Sequence, residues 1–193
     1  QAVMETCHQY QIPCKLTSPQ CTTSTQRVYQ VARSLEADLF VCVNGDEPLI
    51  DPRVVDQVIP QSLEGFFAAN LMAPIHSPVE AVDETNIKVV ASKEGNALFF
   101  SRSPIPHPKG SVQFQFYKHL GVLAYTLEAL EFFDRTPRGP LEAIEDVNEL
   151  RFIEHGKPLR MIPVEARTLS VDTPKDLEYV RGVLREKLSK GEV

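Results

Sequence analysis

The chain has 193 residues and a formal net charge of −6, with acidic and basic residues interspersed. This charge distribution offers no basic surface for nucleic acid or an anionic membrane, and no apolar run reaches the roughly 18 residues that span a bilayer. The length and a hydrophobic fraction of 42% predict one large globular domain, or one domain with an appendage.

The four cysteines lack the spacing of a metal site. Cys7, Cys14 and Cys21 recur at regular intervals, and Cys42 lies within an apolar run. Zinc sites bring their Cys or His ligands together in closer pairs, and buried free cysteine behaves as a small apolar residue. We therefore interpret all four as free thiols, which favours a reducing cytoplasm.

The first part of the chain predicts two helices joined by a short strand and a polar loop. Apolar spacing indicates a helix over 2–11, and an N-cap at Ser24 or Thr25 would open a second helix that ends near Leu35. Residues 12–16 are predicted to form a short strand. Parallel α/β domains normally open on a strand, and none precedes the first helix. We therefore expect that an N-terminal segment of the domain is missing from this sequence.

The next stretch is an apolar run that ends abruptly in two acids. Residues 39–43 are all apolar and predict a strand buried on both faces, as in a parallel sheet. Asp46 and Glu47 follow where the strand stops, and ligands of open α/β sheets bind just beyond the carboxyl ends of strands. The alternative role, capping the next helix, is already supplied by Asp51. Asp46 is therefore a candidate ligand for a metal ion or a contact for a phosphate-bearing molecule.

The remainder of the chain predicts further strands, one hairpin and several helices. Gly95 lies between two apolar segments and supplies the turn of the hairpin. Together the elements predict an α/β fold with a mostly parallel sheet flanked by helices and an inserted antiparallel piece. Strands are expected over 66–75, 87–90, 97–100, within 114–125 and over 159–163, and helices over 51–63, from 77, and over 127–134, 140–155 and 173–190.

Several other polar residues have both a functional and a structural interpretation. Arg102 follows a strand and suits a carboxylate or phosphate, although a solvated arginine is the alternative. His119 lies in an apolar strand, where a histidine satisfied within the core is the alternative. Asp172 precedes Thr-Pro at a helix start, and a functional role requires that it face Asp46. A solvated acidic helix face is expected at Glu142, Glu145, Asp146 and Glu149.

Familiar nucleotide-binding and hydrolase motifs are missing from the sequence. It has no phosphate-binding G-x-x-x-x-G-K-[ST] loop, no G-x-G-x-x-G turn, no G-x-S-x-G elbow and no H-E-x-x-H pair. These motifs would be expected in P-loop kinases, dinucleotide oxidoreductases, serine hydrolases and zinc proteases. The sequence therefore gives no support to any of these classes.

Six segments, taken in chain order, resemble the motifs of the CMP-Kdo synthetases (3-deoxy-manno-octulosonate cytidylyltransferases), relatives of the N-acylneuraminate cytidylyltransferases. They are 44–48 (NGDEP), 86–90 (NIKVV), 100–106 (FSRSPIP), 118–125 (KHLGVLAY), 140–151 and 171–177 (VDTPKDL). The resemblance covers nearly the whole chain. It implies a single domain over 1–193, similar to the nucleotide-diphospho-sugar transferases, in which 86–126 would form the inserted hairpin and the strands of a homodimer.

The resemblance also implies an activity and a set of site residues. The reaction would join CTP and a 3-deoxy-2-ulosonic acid to give a CMP-sugar and pyrophosphate, a step toward lipopolysaccharide or capsule. Mg²⁺ would be the cofactor, and Asp46 and Asp172 its ligands and the catalytic carboxylates. The sugar would be bound by Arg102, His119, Tyr125, Asn148 and Glu149. The nucleotide would be bound by Ser24, Thr25, Arg27, Asn44 and Gly45.

The chain departs from the family pattern at several points. The family's opening strand and phosphate-gripping CTP loop have no counterpart here, so the 193 residues alone are expected to be inactive. Segment 21–27 (CTTSTQR) lacks the family's His, Gly and acid, Asn44 replaces Gln, and Asn148-Glu149 replaces a Glu-Gln pair. The alternative hypothesis is therefore a non-catalytic homologue or one of altered specificity. A sugar-nucleotide glycosyltransferase is disfavoured because the D-x-D metal motif is missing.

Overall fold

The computed structural model describes residues 2–110, 114–166, 169–171 and 173–191. The strands are β1 (Phe40–Val43), β2 (Ala68–Pro74), β3 (Lys88–Ala91), β4 (Ala97–Ser101), β5 (Tyr117–Tyr125) and β6 (Arg160–Pro163). The helices are α1 (Ala2–Gln9), α2 (Ser24–Ala32), α3 (Pro52–Val55, continued by a 3₁₀ turn at Asp56–Val58), α4 (Pro78–Val82), α5 (Leu127–Arg135), α6 (Pro140–Glu145), α7 (Leu150–Glu154) and α8 (Pro174–Lys190).

Most helix starts lie where the sequence signals predicted them. Asp51 caps α3 in front of a first-turn proline, and Thr173 forms a capping box with Asp176 at the start of α8. The cap of α2 differs by one residue, because the Thr23 side chain accepts from the Gln26 backbone N–H at 3.2 Å. The helix that was predicted over 51–63 ends at Val58, well short of its expected end.

The sheet is built around the long strand β5. The strand order is β4-β3-β5-β2-β6, and β1 pairs with the C-terminal half of β5 while β3 pairs with its N-terminal half. β5 runs antiparallel to β1, β2 and β3, and the pair β2–β6 is parallel. The α/β architecture with flanking helices is confirmed, but the ladders make the sheet mixed rather than mostly parallel. The reason is that β5 inserts between strands that themselves run in one direction.

Two strand predictions near the N-terminus need correction. β1 was expected to be buried on both faces, yet Val41 and Val43 are 38% and 42% exposed. Phe40 and Cys42 pack on the core, whereas Val41 and Val43 lie on the opposite face of β1, which is left exposed. Residues 12–16 join no described ladder and form no strand, and Ile12 and Leu16 are exposed.

The core consists of two apolar clusters. The larger is aromatic, with Tyr125, Phe133 and Phe152 fully or almost fully buried, and the smaller gathers around Val58 and Leu71. The second half of β5, residues 120–125, is buried within this core. Each helix among the described residues is too short or too polar to traverse a lipid bilayer.

A buried ion pair holds α6 and α7 together. Arg151 donates to both carboxylate oxygens of Glu142, at 2.7 and 2.6 Å, and its guanidinium lies 3.9 Å from the centre of the Phe133 ring. Glu142 is fully buried and Glu149 is 7% exposed, so the expected solvated acidic face is wrong for these two residues. The physical reason is that Arg151 is buried with Glu142 and neutralises it, a pairing that the acid spacing alone does not reveal.

Removal of this arginine should strongly destabilise the fold. We expect Arg151→Met to lower the free energy of unfolding by about 3–5 kcal/mol, because the buried Glu142 carboxylate loses both hydrogen bonds from Arg151 and keeps only the longer contact with Arg138 at 3.7 Å. Urea unfolding at neutral pH measures the change. Arg135→Met, which breaks the exposed pair with Glu131, is the matched control and should cost at most about 1 kcal/mol. Similar losses in the two variants would contradict the prediction.

Candidate active site

The site is built on a bulge in β5. Asn70 of β2 lies opposite Leu123, but Met72 lies opposite His119, so one residue of β2 faces three residues of β5. Asn70 fills the mismatch: its Nδ2 donates to the carbonyls of Leu120 and Val122 at 2.7 and 3.0 Å. Both residues are buried, and buried carbonyl groups are normally hydrogen-bonded. A polar side chain inside an almost fully buried strand thereby fixes the shape of the strand that carries His119.

The other side of the bulge receives the segment that follows β1. The Asn44 N–H donates to the Gly121 carbonyl at 2.7 Å, and Glu47 Oε1 accepts from the Gly121 N–H at 3.1 Å. A Cβ at Gly121 would lie 2.7 Å from the Cβ of Asn44, so no larger residue fits at this approach. Glu47 is buried, and burial raises the pKa of its carboxyl group. Its Oε2 has no hydrogen-bond partner among the described residues.

Asp46 lies just beyond the end of β1, as the sequence predicted. Its side chain is exposed and forms no ion pair with any described residue. Its backbone carbonyl accepts from the Val171 N–H at 2.8 Å, which brings the 169–171 segment to the same edge of the sheet. Asp172, the predicted partner of Asp46, lies outside the described residues. The neighbour of Asp172 in the chain is therefore in contact with Asp46.

His119 is half-buried at this edge and is neutral at pH 7. Burial lowers the pKa of His119 to about 4, and the positive charges of Arg102 and Lys118 act in the same direction. Its Nδ1 lies 3.2 Å from the Asn70 Oδ1. Because Asn70 Nδ2 donates to two carbonyls, its Oδ1 is the acceptor, which assigns the proton to Nδ1 of His119. The Nε2 atom is then an acceptor.

Four of the predicted site residues line one cavity of about 300 Å³: Asn44, Asp46, Arg102 and His119. Lys118 also lines it and bonds Glu80 at 2.7 Å and Asn86 at 3.2 Å. Arg102 is not a freely solvated arginine, because three backbone carbonyls accept from its guanidinium. The cavity thus combines an exposed carboxylate with two cations and a neutral imidazole, a set that suits a ligand with anionic groups and hydroxyls.

A second group of predicted residues is buried at the other end of β5. Tyr125 and Thr25 are both almost fully buried, and burial raises the pKa of the Tyr125 hydroxyl. Burial raises the pKa of Glu149 to about 7, opposed by a hydrogen bond from its own backbone and assisted by the charge of Glu142. Burial raises the pKa of the Cys42 thiol on β1, and the charge of Glu149 adds to the shift. None of these side chains is open to a ligand in this conformation.

Three of the remaining predicted residues lie apart from both groups. Ser24 and Asn148 line a different cavity of about 560 Å³, together with Arg138. Arg27 directs its guanidinium to the 17–21 loop, where Thr17 Oγ1 accepts from it at 2.7 Å and the Cys21 carbonyl at 2.9 Å. Gly45 is exposed between Asn44 and Asp46. The structure therefore gathers only part of the predicted nucleotide and sugar contacts.

Sequence reasoning missed two residues that shape the cavity. Asn70 is a polar residue within the apolar run 66–75, and that exception to the pattern is the feature that could have identified it. Lys118 stood in the segment 118–125, but nothing local shows that it faces Glu80 and Asn86, which are more than thirty positions away. Both depend on pairing between distant strands.

Comparison with known proteins gives consistent results for sequence and structure. Residues 1–161 match the cytidylyltransferase family. The 3-deoxy-manno-octulosonate cytidylyltransferase of Chlorobium limicola is 38% identical over 184 residues, 91% of this chain and 73% of that protein. The enzyme of the same name from Chlorobium luteolum is 39% identical over 183 residues, 88% of this chain and 71% of that protein. The solved structure of a CMP:2-keto-3-deoxy-manno-octonic acid synthetase complexed with CTP has a TM-score of 0.87 at 32% identity, covering 96% of this chain and 78% of that chain.

The neutral form of Glu149 predicts a pH-dependent stability. Since its pKa is about 7 in the fold and near 4.5 in the unfolded chain, the folded state holds a proton that the unfolded state has lost. Its contribution to stability therefore falls as pH rises from about 4.5 to 7 and then levels off. We expect Glu149→Gln to be nearly neutral at pH 4.5 and to stabilise the protein by up to about 3 kcal/mol at pH 8.

Urea unfolding at several pH values between 4.5 and 8 measures this difference. Glu131→Gln is the control, because Glu131 is an exposed partner of Arg135 and should show no such pH trend. A constant difference between Glu149→Gln and the unmodified protein across this range would contradict the prediction.

Proposed function

The chain belongs to the cytidylyltransferase family, and from that premise we propose that it transfers a cytidylyl group from CTP to 3-deoxy-manno-octulosonate (Kdo) or a closely related ulosonic acid. The supporting observation is the single cavity at which Asp46, Arg102 and His119 meet at one edge of the sheet. The products would be a CMP-sugar and pyrophosphate. In the reaction the sugar's anomeric hydroxyl oxygen bonds to the α-phosphorus, the bond to the pyrophosphate oxygen breaks, and the hydroxyl proton is released.

The residues at the cavity fit a magnesium ion as cofactor. Mg²⁺ needs only one or two protein carboxylates when substrate phosphates complete its coordination. Asp46 offers an exposed carboxylate without an ion pair in the described part of the chain, and we propose Asp46 and Asp172 as the ligands. No group of three or more His, Cys, Asp or Glu side chains that could hold a metal ion is found among the described residues. The ion would offset negative charge on the phosphate oxygens.

We assign recognition of the sugar acid to Arg102 and His119. A guanidinium presents donors in a planar fork that matches a carboxylate, and Arg102 keeps unused N–H groups at the cavity. His119 is neutral over the physiological pH range and offers Nε2 as an acceptor for a sugar hydroxyl. We place Asn44 and Gly45 on the nucleotide side, because they lie between β1 and Asp46.

The supporting roles of the other predicted residues differ in kind. We propose that Tyr125 and Glu149 act from within the core, since both are buried, and that Thr25 supports Tyr125. Ser24, Arg27 and Asn148 would contribute to the rim of the neighbouring cavity and its loop. A homodimer through 86–126 is also a proposal. Of the described large apolar residues in that piece, Leu98 and Phe114 are the exposed ones, so such a surface would include them.

The proposal predicts that Asp46 is essential for turnover. We expect Asp46→Asn to lower the rate of pyrophosphate release from CTP, Kdo and Mg²⁺ by at least about 100-fold, because the charge that would hold the ion at the α-phosphate is lost. A coupled phosphate assay on the full-length protein measures the rate.

Asp56→Asn is the matched control, because Asp56 is exposed in the 3₁₀ turn after α3 and should leave the rate unchanged. Full activity of Asp46→Asn would remove the metal assignment. A lack of activity in the unmodified protein would favour the non-catalytic alternative.

A further inference from the structure

Arg102 is held at the cavity by backbone carbonyls from two separate segments. Its Nε donates to the Glu145 carbonyl at 2.8 Å, while its terminal nitrogens donate to the carbonyls of Glu84 at 3.0 Å and Asp146 at 3.3 Å. A guanidinium has five N–H donors, which leaves about two for a ligand. Among the described residues no carboxylate forms an ion pair with Arg102, so its charge is not neutralised by direct contact.

The carboxylate of Glu145 fixes the backbone of Arg102 rather than its guanidinium. Its Oε2 accepts from the Arg102 N–H at 2.9 Å, and its Oε1 accepts from the Ser101 hydroxyl at 2.8 Å. Ser101 ends β4 and Glu145 ends α6, so this one side chain joins the end of a strand to the end of a helix. Together with its backbone carbonyl, Glu145 makes three of the contacts that set the position of Ser101 and Arg102.

The helix that carries Glu145 is itself anchored. Glu154 accepts from the backbone N–H groups of Leu141 and Glu142 at 2.8 and 2.9 Å, which satisfies the first turn of α6. The buried pair of Glu142 with Arg151 holds its inner face. Because α6 is fixed in this way, the Glu145 carboxylate is a rigid support for Arg102.

The carbonyl on the opposite side of the guanidinium has its own support. Lys88 is fully buried, and its Nζ donates to the Asp83 carbonyl at 2.7 Å, next in the chain to the Glu84 carbonyl that accepts from Arg102. Burial lowers the pKa of Lys88, with the charge of Asp83 opposing and that of Arg102 adding to the shift. Two cations therefore hold two consecutive carbonyls, and the 83–84 turn is fixed against the guanidinium.

We infer that Glu145 is a positioning residue for recognition of the substrate carboxylate: by holding Ser101 and the backbone of Arg102, it aims the free N–H groups of an uncompensated guanidinium into the cavity. This inference rests on the function proposed above. An acid that bonded the guanidinium directly would compete with the substrate's own carboxylate, whereas an acid on the backbone orients the arginine and leaves its donors available.

The test compares two substitutions at Glu145 in the full-length protein. Glu145→Ala removes the carboxylate that bonds Ser101 and the Arg102 N–H but keeps the backbone carbonyl. We expect it to raise KM for Kdo on the order of tenfold, while KM for CTP changes less than about twofold. Glu145→Gln should recover most of the affinity, because its amide can accept from the Arg102 N–H and donate to the Ser101 hydroxyl. Glu131→Ala, on the exposed face of α5, is the control and should change neither constant.

A double-substitution cycle with Arg102→Met separates positioning from a general structural role. Arg102→Met alone should raise KM for Kdo on the order of 100-fold, and adding Glu145→Ala should then cause little further rise, since its effect passes through the guanidinium. Effects that multiply in the double variant, or equal rises in KM for Kdo and CTP, would overturn the inference.

Two further measurements keep the outcome interpretable. If thermal unfolding shows that Glu145→Ala does not fold, Ser101→Ala is the substitute: it removes the hydroxyl that donates to Glu145 Oε1 and accepts from the Ser103 N–H at 3.0 Å. We expect it to raise KM for Kdo about threefold, and no change would overturn the inference. Calorimetric binding of Kdo in the absence of CTP follows the same variants without requiring turnover. Suppose that Glu145→Ala binds Kdo more weakly but the unmodified protein releases no pyrophosphate. That result would reject the proposed reaction and support the positioning role of Glu145.

Discussion

The bulge in β5 is the constraint on which the candidate site depends. Three residues of β5 face one of β2, and the excess backbone is satisfied by Asn70 on one side and by Asn44 and Glu47 on the other. This arrangement turns His119 toward the cavity and brings the acids after β1 against Gly121. A bulge that re-aims a side chain next to a site is a recurrent use of this irregularity. Loss of any one partner would leave buried polar groups without hydrogen bonds.

The site treats its charged groups in two different ways. Glu142 and Arg151 serve the fold: they are buried together, and their opposite charges neutralise each other. At the cavity, Lys118 is paired with Glu80, whereas Arg102 is oriented by carbonyl oxygens and has no carboxylate partner in the described ranges. Carbonyl dipoles orient a guanidinium and leave its net charge intact. An anionic ligand can therefore meet a cation that has not already been neutralised.

The local signals in the sequence predicted much of the fold correctly. Proline and acid patterns located the starts of α3, α4 and α8, and the turn at Gly95 joins β3 and β4 as expected. Errors occurred where partners are distant. The apolar run of β1 was taken for a doubly covered strand, and the acids of α6 for a solvated face. Burial depends in both cases on which other element packs against the segment, and no local pattern contains that information.

By itself the sequence determined the succession of elements, the carboxylate at the end of β1 and the motif set that marks the family, because capping, turn formation and apolar periodicity act over a few neighbouring residues. Only the tertiary structure decided which of the candidate residues meet. It placed Arg102 and His119 in the same cavity as Asp46, and it buried Tyr125 and Glu149 in the core. It also brought the Glu145 carboxylate to the backbone N–H of Arg102, 43 positions away in the chain. These contacts follow from the pairing of β5 with β1, β2 and β3, and such long-range pairing is set by packing of the whole core.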